Sequence, residues 1–590
     1  MAIYDNMKLH TTNDKFFIEP IDSSLSNELL VIDRVTQEIS VDKNQGQIPN
    51  VAETRVIFGI FGIIKLLAGN YLIVITDRTL VGEINGKKIW KVASTQLISY
   101  KRTTLHMTED QIHHNRMYIS LAEHALGIES YYFSYDYDLT HTLQRLDNTS
   151  PDFVSMCLAE RADARFVWNQ HLLKDFHRDD LSKFSLPLML GFVVIKQVVI
   201  KNHCFSYALI SRRSCHRAGT RYYMRGLDVD GNSANYVETE QLIECEGYRA
   251  SFVQTRGSIP LVWSQRPNLK YKPTPQISQS QNHSNAFQKH FATQLFSYGK
   301  QVLINLIDHK GAEKELENSF RQLTNSSKNP DIRYEAFDFH QECSKMRWHR
   351  LSILLDRLEE ERKMFKFFAH DKDGRTVIVQ DGVFRTNCID CLDRTNVVQS
   401  LLARRTLQDQ LVKFNILQEG ERVEDQLAFE TVFKNVWADN ADACAKQYAG
   451  TGALKTDFTR TGKRTKMGLM KDGVNSAIRY VKNNFYDGFR QDAVDLILGN
   501  HQVDEGECAT TICPLQEKRD IKFYILPAIF CVAFSMLLVS FLVGSDHSGE
   551  HALYLAFWIM ATAVTGGLIY YYGTEFVDKP KLVQTKNKLD

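Results

Sequence analysis

Residues 385-RTNCIDCLDRTN-396 hold two cysteines, two aspartates and two arginines within twelve positions, and five residues separate Cys388 from Arg394. Just upstream, 375-RTVIVQDGVF-384 has the β-branched character of a strand. Just downstream, Val398, Leu401 and Leu402 fall at helical spacing, and the segment runs on to Leu411. The pattern predicts a strand–loop–helix turn that puts Cys388 near a helix N-terminus. Backbone N–H groups and the helix dipole favour anions there.

That placement suits cysteine-based phosphoryl transfer. A thiolate at Cys388 would attack phosphorus and form a phosphocysteine, its acidity raised by the dipole and a nearby guanidinium. Arg394 can return its planar fork to two equatorial phosphoryl oxygens. Thr395 can hydrogen-bond the thiolate or help expel it. The bare C-x5-R spacing is weak in a long chain, and C-x5-R-T on a strand–loop–helix turn is considerably stronger.

Other readings fit parts of the same residues. Cys388 and Cys391 also spell C-x-x-C, a redox pair or half of a zinc site, whose second pair would be Cys508 with Cys513. Cys391 can also form a reversible disulfide with Cys388. His113 and His114 are adjacent, point different ways on most backbones and read as structural or exposed. The grouping of His340, Glu342 and Cys343 beside Met346 and Trp348 reads as a packed helix. No metal site is expected.

Working outward, the chain has 71 basic and 70 acidic residues, so composition gives no support to nucleic-acid binding. Its eleven cysteines are scattered, which fits a reducing compartment. The N-terminus lacks a basic region followed by an apolar core, so no cleavable signal peptide is expected. Residues 1–180 read as a strand-rich N-terminal subdomain and 181–500 as an α/β catalytic body. Residues 501–522 read as a polar juxtamembrane linker.

Residues 523–544 and 552–572 carry no charge. At ~1.5 Å per residue each is long enough to cross a ~30 Å hydrocarbon core. Lys518, Arg519 and Lys522 flank the pair on one side, and Lys579, Lys581, Lys586 and Lys588 on the other. The expectation is a two-helix transmembrane hairpin with both ends, including the 573–590 tail, in the cytosol. The apolar runs at 56–76 and 186–200 read instead as strands of a soluble core, the first as a hairpin around a Gly69–Asn70 turn.

RTNCIDCLDRTN resembles the catalytic signature of the Sac-domain phosphoinositide phosphatases, R-x-N-C-x-D-C-L-D-R-T-N, at every fixed position. Residues 216–241, 251–263, 338–348 and 437–458 look like further blocks of that family, so the resemblance covers essentially the whole chain. With the C-terminal hairpin included, it is to the membrane-anchored branch of the ER and Golgi. It implies metal-independent hydrolysis of phosphatidylinositol 4-phosphate, and also the 3-phosphate, with Cys388 as nucleophile, Arg394 as phosphate clamp and Asn387 ordering the loop.

Asp393 is the preferred general acid, by analogy with myotubularin-type lipid phosphatases, and Asp390 the second choice. The downstream 437-WAD-439 lacks the proline of a tyrosine-phosphatase acid loop. Two rivals stay open: a protein-tyrosine or dual-specificity phosphatase, and a membrane-anchored lipid-binding or tethering protein with an inactive loop.

The basic run 455–471 supplies Lys455, Arg460, Lys463, Arg464, Lys466 and Lys471, and is expected to face an anionic headgroup and leaflet. The sequons at Asn148, Asn282 and Asn325 would stay bare in a cytosolic body. The terminal KNKLD, with Lys586 and Lys588, resembles a dilysine signal read by coat-complex retrieval machinery.

Overall fold

The computed structural model describes the chain apart from residues 1–2, 22–26, 51, 280–281, 345–346, 391, 505, 510, 517–519, 543–547 and 584–590. The expectations for Cys391, Met346, Lys518, Arg519, Lys586 and Lys588 therefore lie outside the described residues.

A small antiparallel sheet opens the fold: β1 (Met7–Thr11), β2 (Lys15–Pro20), β3 (Glu28–Asp33), β4 (Ile39–Lys43) and β5 (Glu53–Ile57), in the order β4-β3-β2-β1-β5. Its alternating apolar residues Leu9, Phe16, Ile18, Leu30 and Ile32 are buried against Phe176 and Phe184.

The main sheet has thirteen strands: β6 (Gly59–Leu66), β7 (Gly69–Ile84), β8 (Lys87–Ser99), β9 (Tyr131–Phe133), β10 (Met189–Ile200), β11 (His203–Arg213), β12 (Val237–Cys245), β13 (Tyr248–Arg256), β14 (Lys300–Asn305), β15 (Ile332–Ala336), β16 (Phe368–His370), β17 (Thr376–Ile378) and β18 (Gly382–Asn387). From β6 to β13 neighbours run antiparallel. Beyond β13 the order continues β18-β14-β15 with parallel pairing. The sheet runs across residue 180, since β9 pairs with β10. The apolar runs at 56–76 and 186–200 are strands, as expected. The first hairpin turns at Leu67–Ala68, however, and Gly69, at φ +107°, opens the return strand.

The helices that matter for function are α1 (Glu109–Leu126), α2 (Asp393–Lys413), α3 (Leu427–Ala449), α4 (Lys466–Phe485), α5 (Asp487–Ile497), α6 (Lys522–Leu542) and α7 (Ser548–Tyr571). Val398, Leu402, Leu407 and Leu411 of α2 join Phe433, Val436 and Trp437 of α3 in the largest core cluster. Thr108 starts α1 with a capping box to Gln111.

The helices α6 and α7 pack on each other and are each long and apolar enough to cross a membrane. Only 11% and 6% of their hydrophobic windows are buried. The chain on both sides of this pair is tied to the body. Val503, Cys513 and Leu515 enter the core beside α1, so the segment expected to be a polar linker is packed over much of its length. After α7, Asp578 donates its N–H to Asn484 O at 2.7 Å, and Lys581 and Leu582 donate theirs to the Asp492 carboxylate at 2.9 and 3.0 Å.

Candidate active site

The strand β18 is flanked by β13 and β14, where the sheet changes from antiparallel to parallel pairing. In such sheets the carboxyl ends of the parallel strands open a crevice. Here β18 ends at Asn387, the loop begins at Cys388, and α2 starts at Asp393. The strand–loop–helix turn read from sequence is present. Asn387 is fully buried and donates its side-chain amide to Gly257 O and Ser258 O at 2.8 and 3.2 Å, which fixes the start of the loop. Leu392, at the N-cap, offers the first turn of α2 no side-chain acceptor, and helix N–H groups left this way suit an anion.

One pocket gathers Cys388, Asp390, Asp393 and Arg394 from this segment, Phe339 and His340 from the chain after β15, and Arg221, Lys272, Lys455 and Arg479 from elsewhere. Five fixed cations line it against two carboxylates, so its charge favours a phosphate ligand. Cys388 is 2% exposed and sits at the base of the loop.

Arg394 donates Nη1 to Leu306 O at 3.0 Å, just past the end of β14, and lies 3.5 Å from Asp308 and 3.7 Å from Glu313. Burial alone would lower its pKa. Its neighbours Cys388, Glu313 and Asp308 outweigh that and raise it, so Arg394 stays cationic.

The two loop aspartates differ in environment. Asp390 accepts from Arg221 Nε and Nη2 at 2.9 and 2.6 Å and from Arg225 Nη2 at 2.7 Å. Burial would raise its pKa, but the Arg221 and Arg225 guanidiniums hold it far below the carboxylate range. Asp393 accepts the Leu454 backbone N–H at 2.9 Å. Burial raises its pKa, opposed by Arg479 and that hydrogen bond. Thr395 is fully buried at the third position of α2, and its hydroxyl has no hydrogen-bond partner among the described residues.

The basic run divides. Lys455 lines the pocket, with Nζ 5.7 Å from the Trp348 ring. Arg460 is paired with Asp439 at 2.6 Å, and Arg464 with Asp457 and Asp472; neither lines the pocket. Lys463 and Lys466 are exposed outside it. Asp439 of the WAD triplet is occupied by Arg460 and is likewise outside.

Sequence reasoning missed Arg221, Lys272 and Arg479, and read His340 as structural although it lines the pocket and bonds Asp308 at 2.6 Å. Arg479 donates to Thr451 Oγ1 and Gly452 O at 2.9 and 2.8 Å and has no carboxylate ion pair among the described residues. Its signal was an arginine on the polar side of an otherwise amphipathic segment. Arg221 lay inside the 216–241 block.

Outside the pocket, potential ligand atoms of His114, Cys508 and Cys513 lie within 4.8 Å of one another. His114 Nδ1 is 2.8 Å from Asp110 O. Cys508 and Cys513 therefore meet α1, not Cys388, and the zinc pairing considered from sequence does not form between those residues.

The family model for the SacI homology domain matches residues 58–344, which stops short of the Cys388 loop. A phosphatidylinositol-3-phosphatase SAC1-B of Danio rerio is 54% identical over 590 residues, covering all of both chains. A phosphatidylinositol-3-phosphatase SAC1 of Drosophila melanogaster is 46% identical over 98% of this chain and 97% of its own. The Saccharomyces cerevisiae protein of that name is 38% identical over 91% of this chain and 87% of its own. With relatives 38–54% identical over nine-tenths or more of its length, the chain belongs to the Sac-domain phosphoinositide phosphatase family.

Proposed function

We propose that the protein hydrolyses the phosphomonoester of a membrane phosphoinositide, phosphatidylinositol 4-phosphate and also the 3-phosphate, through a phosphocysteine intermediate. The observation that carries this is the pairing of Cys388 with Arg394 at an open helix N-terminus, in a pocket with excess positive charge. The names of the relatives support the lipid class.

In the first step the Cys388 thiolate attacks phosphorus while Arg394 holds two equatorial oxygens. The P–O ester bond breaks, and Asp393 gives its proton to the departing inositol oxygen. In the second, water attacks the phosphocysteine, Asp393 takes the water's proton, and the thiolate leaves with inorganic phosphate formed. Thr395 assists that departure. No step calls for a metal. Asp393 takes the acid role over Asp390 because its pKa is raised while that of Asp390 is held down by two guanidiniums. Lys455, Arg479 and Arg221 face the headgroup. Arg460, Lys463, Arg464 and Lys466 lie outside the pocket, and their role is at the surrounding surface.

The helices α6 and α7 would anchor the body on the cytosolic face of ER and Golgi membranes, with Lys586 and Lys588 read by the coat-complex retrieval machinery.

The test is phosphate release by the full chain in EDTA from short-chain phosphatidylinositol 4-phosphate, the 3-phosphate and a phosphotyrosine peptide. Turnover of the lipids that disappears in Cys388→Ser supports the proposal. Preference for the peptide would point to a protein phosphatase. Lipid binding without turnover, with the thiol shown to be reduced, would point to a tether.

A further inference from the structure

The helix α4 is amphipathic in the reverse of the usual sense. Met467, Met470, Val474, Ile478, Val481 and Phe485 recur at three- and four-residue intervals, the stripe of one helix face. All six point to solvent, with exposures from 42% to 70%. The polar residues Ser476, Arg479, Tyr480 and Asn483 face inward and line the pocket. Burial normally selects the apolar stripe for the core. A stripe about 30 Å long left outside marks a surface that meets another apolar phase.

We propose that this outward face of α4 seats in the lipid leaflet that anchors α6 and α7, bringing the mouth of the pocket to headgroup level.

Two observations select a bilayer as the occupant. The first is continuity with the hydrophobic hairpin. The backbone N–H of Asp578, in the chain leaving α7, bonds Asn484 O at the end of α4 at 2.7 Å. Tyr480 of α4 donates its hydroxyl to Leu269 O at 2.7 Å, and the neighbouring Lys270 lies 5.9 Å from the Tyr570 ring near the end of α7. The apolar stripe thus lies beside the point where the hairpin meets the body. The second is charge: Lys463, Lys466 and Lys471 are exposed around the N-terminal half of α4. Lysines flanking an apolar face are the composition of a helix lying in an anionic interface. The same helix therefore has one side in the active site and the other in the leaflet that holds the substrate.

The catalytic consequence rests on the lipid-phosphatase reading above, but the contact can be read without turnover. The full chain would be reconstituted in phosphatidylcholine–phosphatidylserine vesicles carrying a lipid with a diazirine near its headgroup, irradiated and digested. Adducts within 467–485 as well as in α6 and α7 are expected. Adducts confined to α6 and α7 overturn the proposal whether or not the chain is an enzyme.

The double substitution Val474→Asp and Ile478→Asp should abolish the α4 adducts. It should slow hydrolysis of long-chain phosphoinositide in vesicles by about tenfold or more, while turnover of a soluble dibutanoyl analogue stays at wild-type level. The exposed Leu105→Asp and Phe296→Asp, away from α4, should change neither. Equal loss on both substrates, or equal loss in the control variant, would mean that the stripe does not act through the membrane. Absence of turnover in wild type would count against the phosphatase reading alone, and the adducts would still decide the docking.

Discussion

Asp390 and Arg221 meet through a two-pronged contact, Nε to Oδ1 at 2.9 Å and Nη2 to Oδ2 at 2.6 Å, whereas Asp393, three residues on, has no ion pair among the described residues. The pKa values of two neighbouring carboxyls are thereby pushed in opposite directions, the arrangement that separates a proton donor from a fixed anion. Asp390 orders the arginines, and Asp393 is the carboxyl that burial makes the weaker acid, as the proposed proton donor requires.

This separation makes Asp393→Asn the discriminating substitution. It should lower kcat on phosphoinositides by about 10²- to 10⁴-fold, the usual worth of a general acid. An aryl phosphate with a good leaving group should lose much less. Since burial raises the Asp393 pKa, the protonated acid is present below that pKa, and kcat falls as pH rises through it. In Asp393→Asn that alkaline limb should flatten. A wild-type limb in the variant would return the acid role to another group.

Asp390→Ala should act chiefly on stability. It leaves Arg225, whose side chain is 1% exposed, and Arg221 without their carboxylate. Removing one partner of a buried pair typically costs about 3–5 kcal/mol. The expected result is a clear drop in Tm, with the alkaline limb of any remaining activity moved to lower pH, since the Asp390 charge helps raise the Asp393 pKa. Arg225 would keep Ile389 O and Tyr448 Oη as acceptors, so the protein should still fold at low temperature.

The divided basic run predicts unequal effects on a soluble headgroup substrate. Arg479→Met removes a pocket cation with no carboxylate partner, and KM should rise by about ten- to a hundredfold, matching the ~1.5–3 kcal/mol of a charge-assisted hydrogen bond. Arg464→Met removes a cation already neutralised by Asp457 and Asp472 outside the pocket, and KM should stay within about twofold. Similar KM changes in both would show that the headgroup is held by the run as a whole.

The contrast between those two arginines shows what the sequence made legible. The C-x5-R-T turn, the strand before it and the helix after it are local features, written in hydrophobic period and loop chemistry over some thirty residues. Arg394 and Asn387 could be found that way. Arg221 and Arg479 reach the pocket from segments more than 80 residues away, through the sheet order β13-β18-β14 and the packing of α4. Nothing in their immediate neighbours fixes that. Arg464 looked equivalent to Lys455 because charge runs do not reveal which members already have partners. The two apolar C-terminal helices were plain from composition. The docking of the chain on either side of them was not, since it depends on single acceptors such as Asp492.

That acceptor gives the remaining prediction. The Asp492 carboxylate receives the backbone N–H groups of Lys581 and Leu582 and so holds the chain leaving α7 against α5. Burial pushes its pKa up to about 7, with Asp495 and Asp578 adding negative charge and the two N–H bonds opposing. A folded-state value above the ordinary 3.8 means that the folded protein binds the extra proton between about pH 4 and 7. Stability then falls as pH rises through that window and levels off above it. Asp487, pushed up to about 6 by burial, acts in the same direction. Hydrogen exchange at the Lys581 and Leu582 amides, corrected for intrinsic rates, should show protection reduced by about tenfold or more between pH 5 and pH 8. In Asp492→Asn, which keeps an acceptor oxygen but has no proton to lose, the difference should shrink. Protection that is flat across this range in wild type would mean that Asp492 is ionised throughout and that its two N–H bonds outweigh burial.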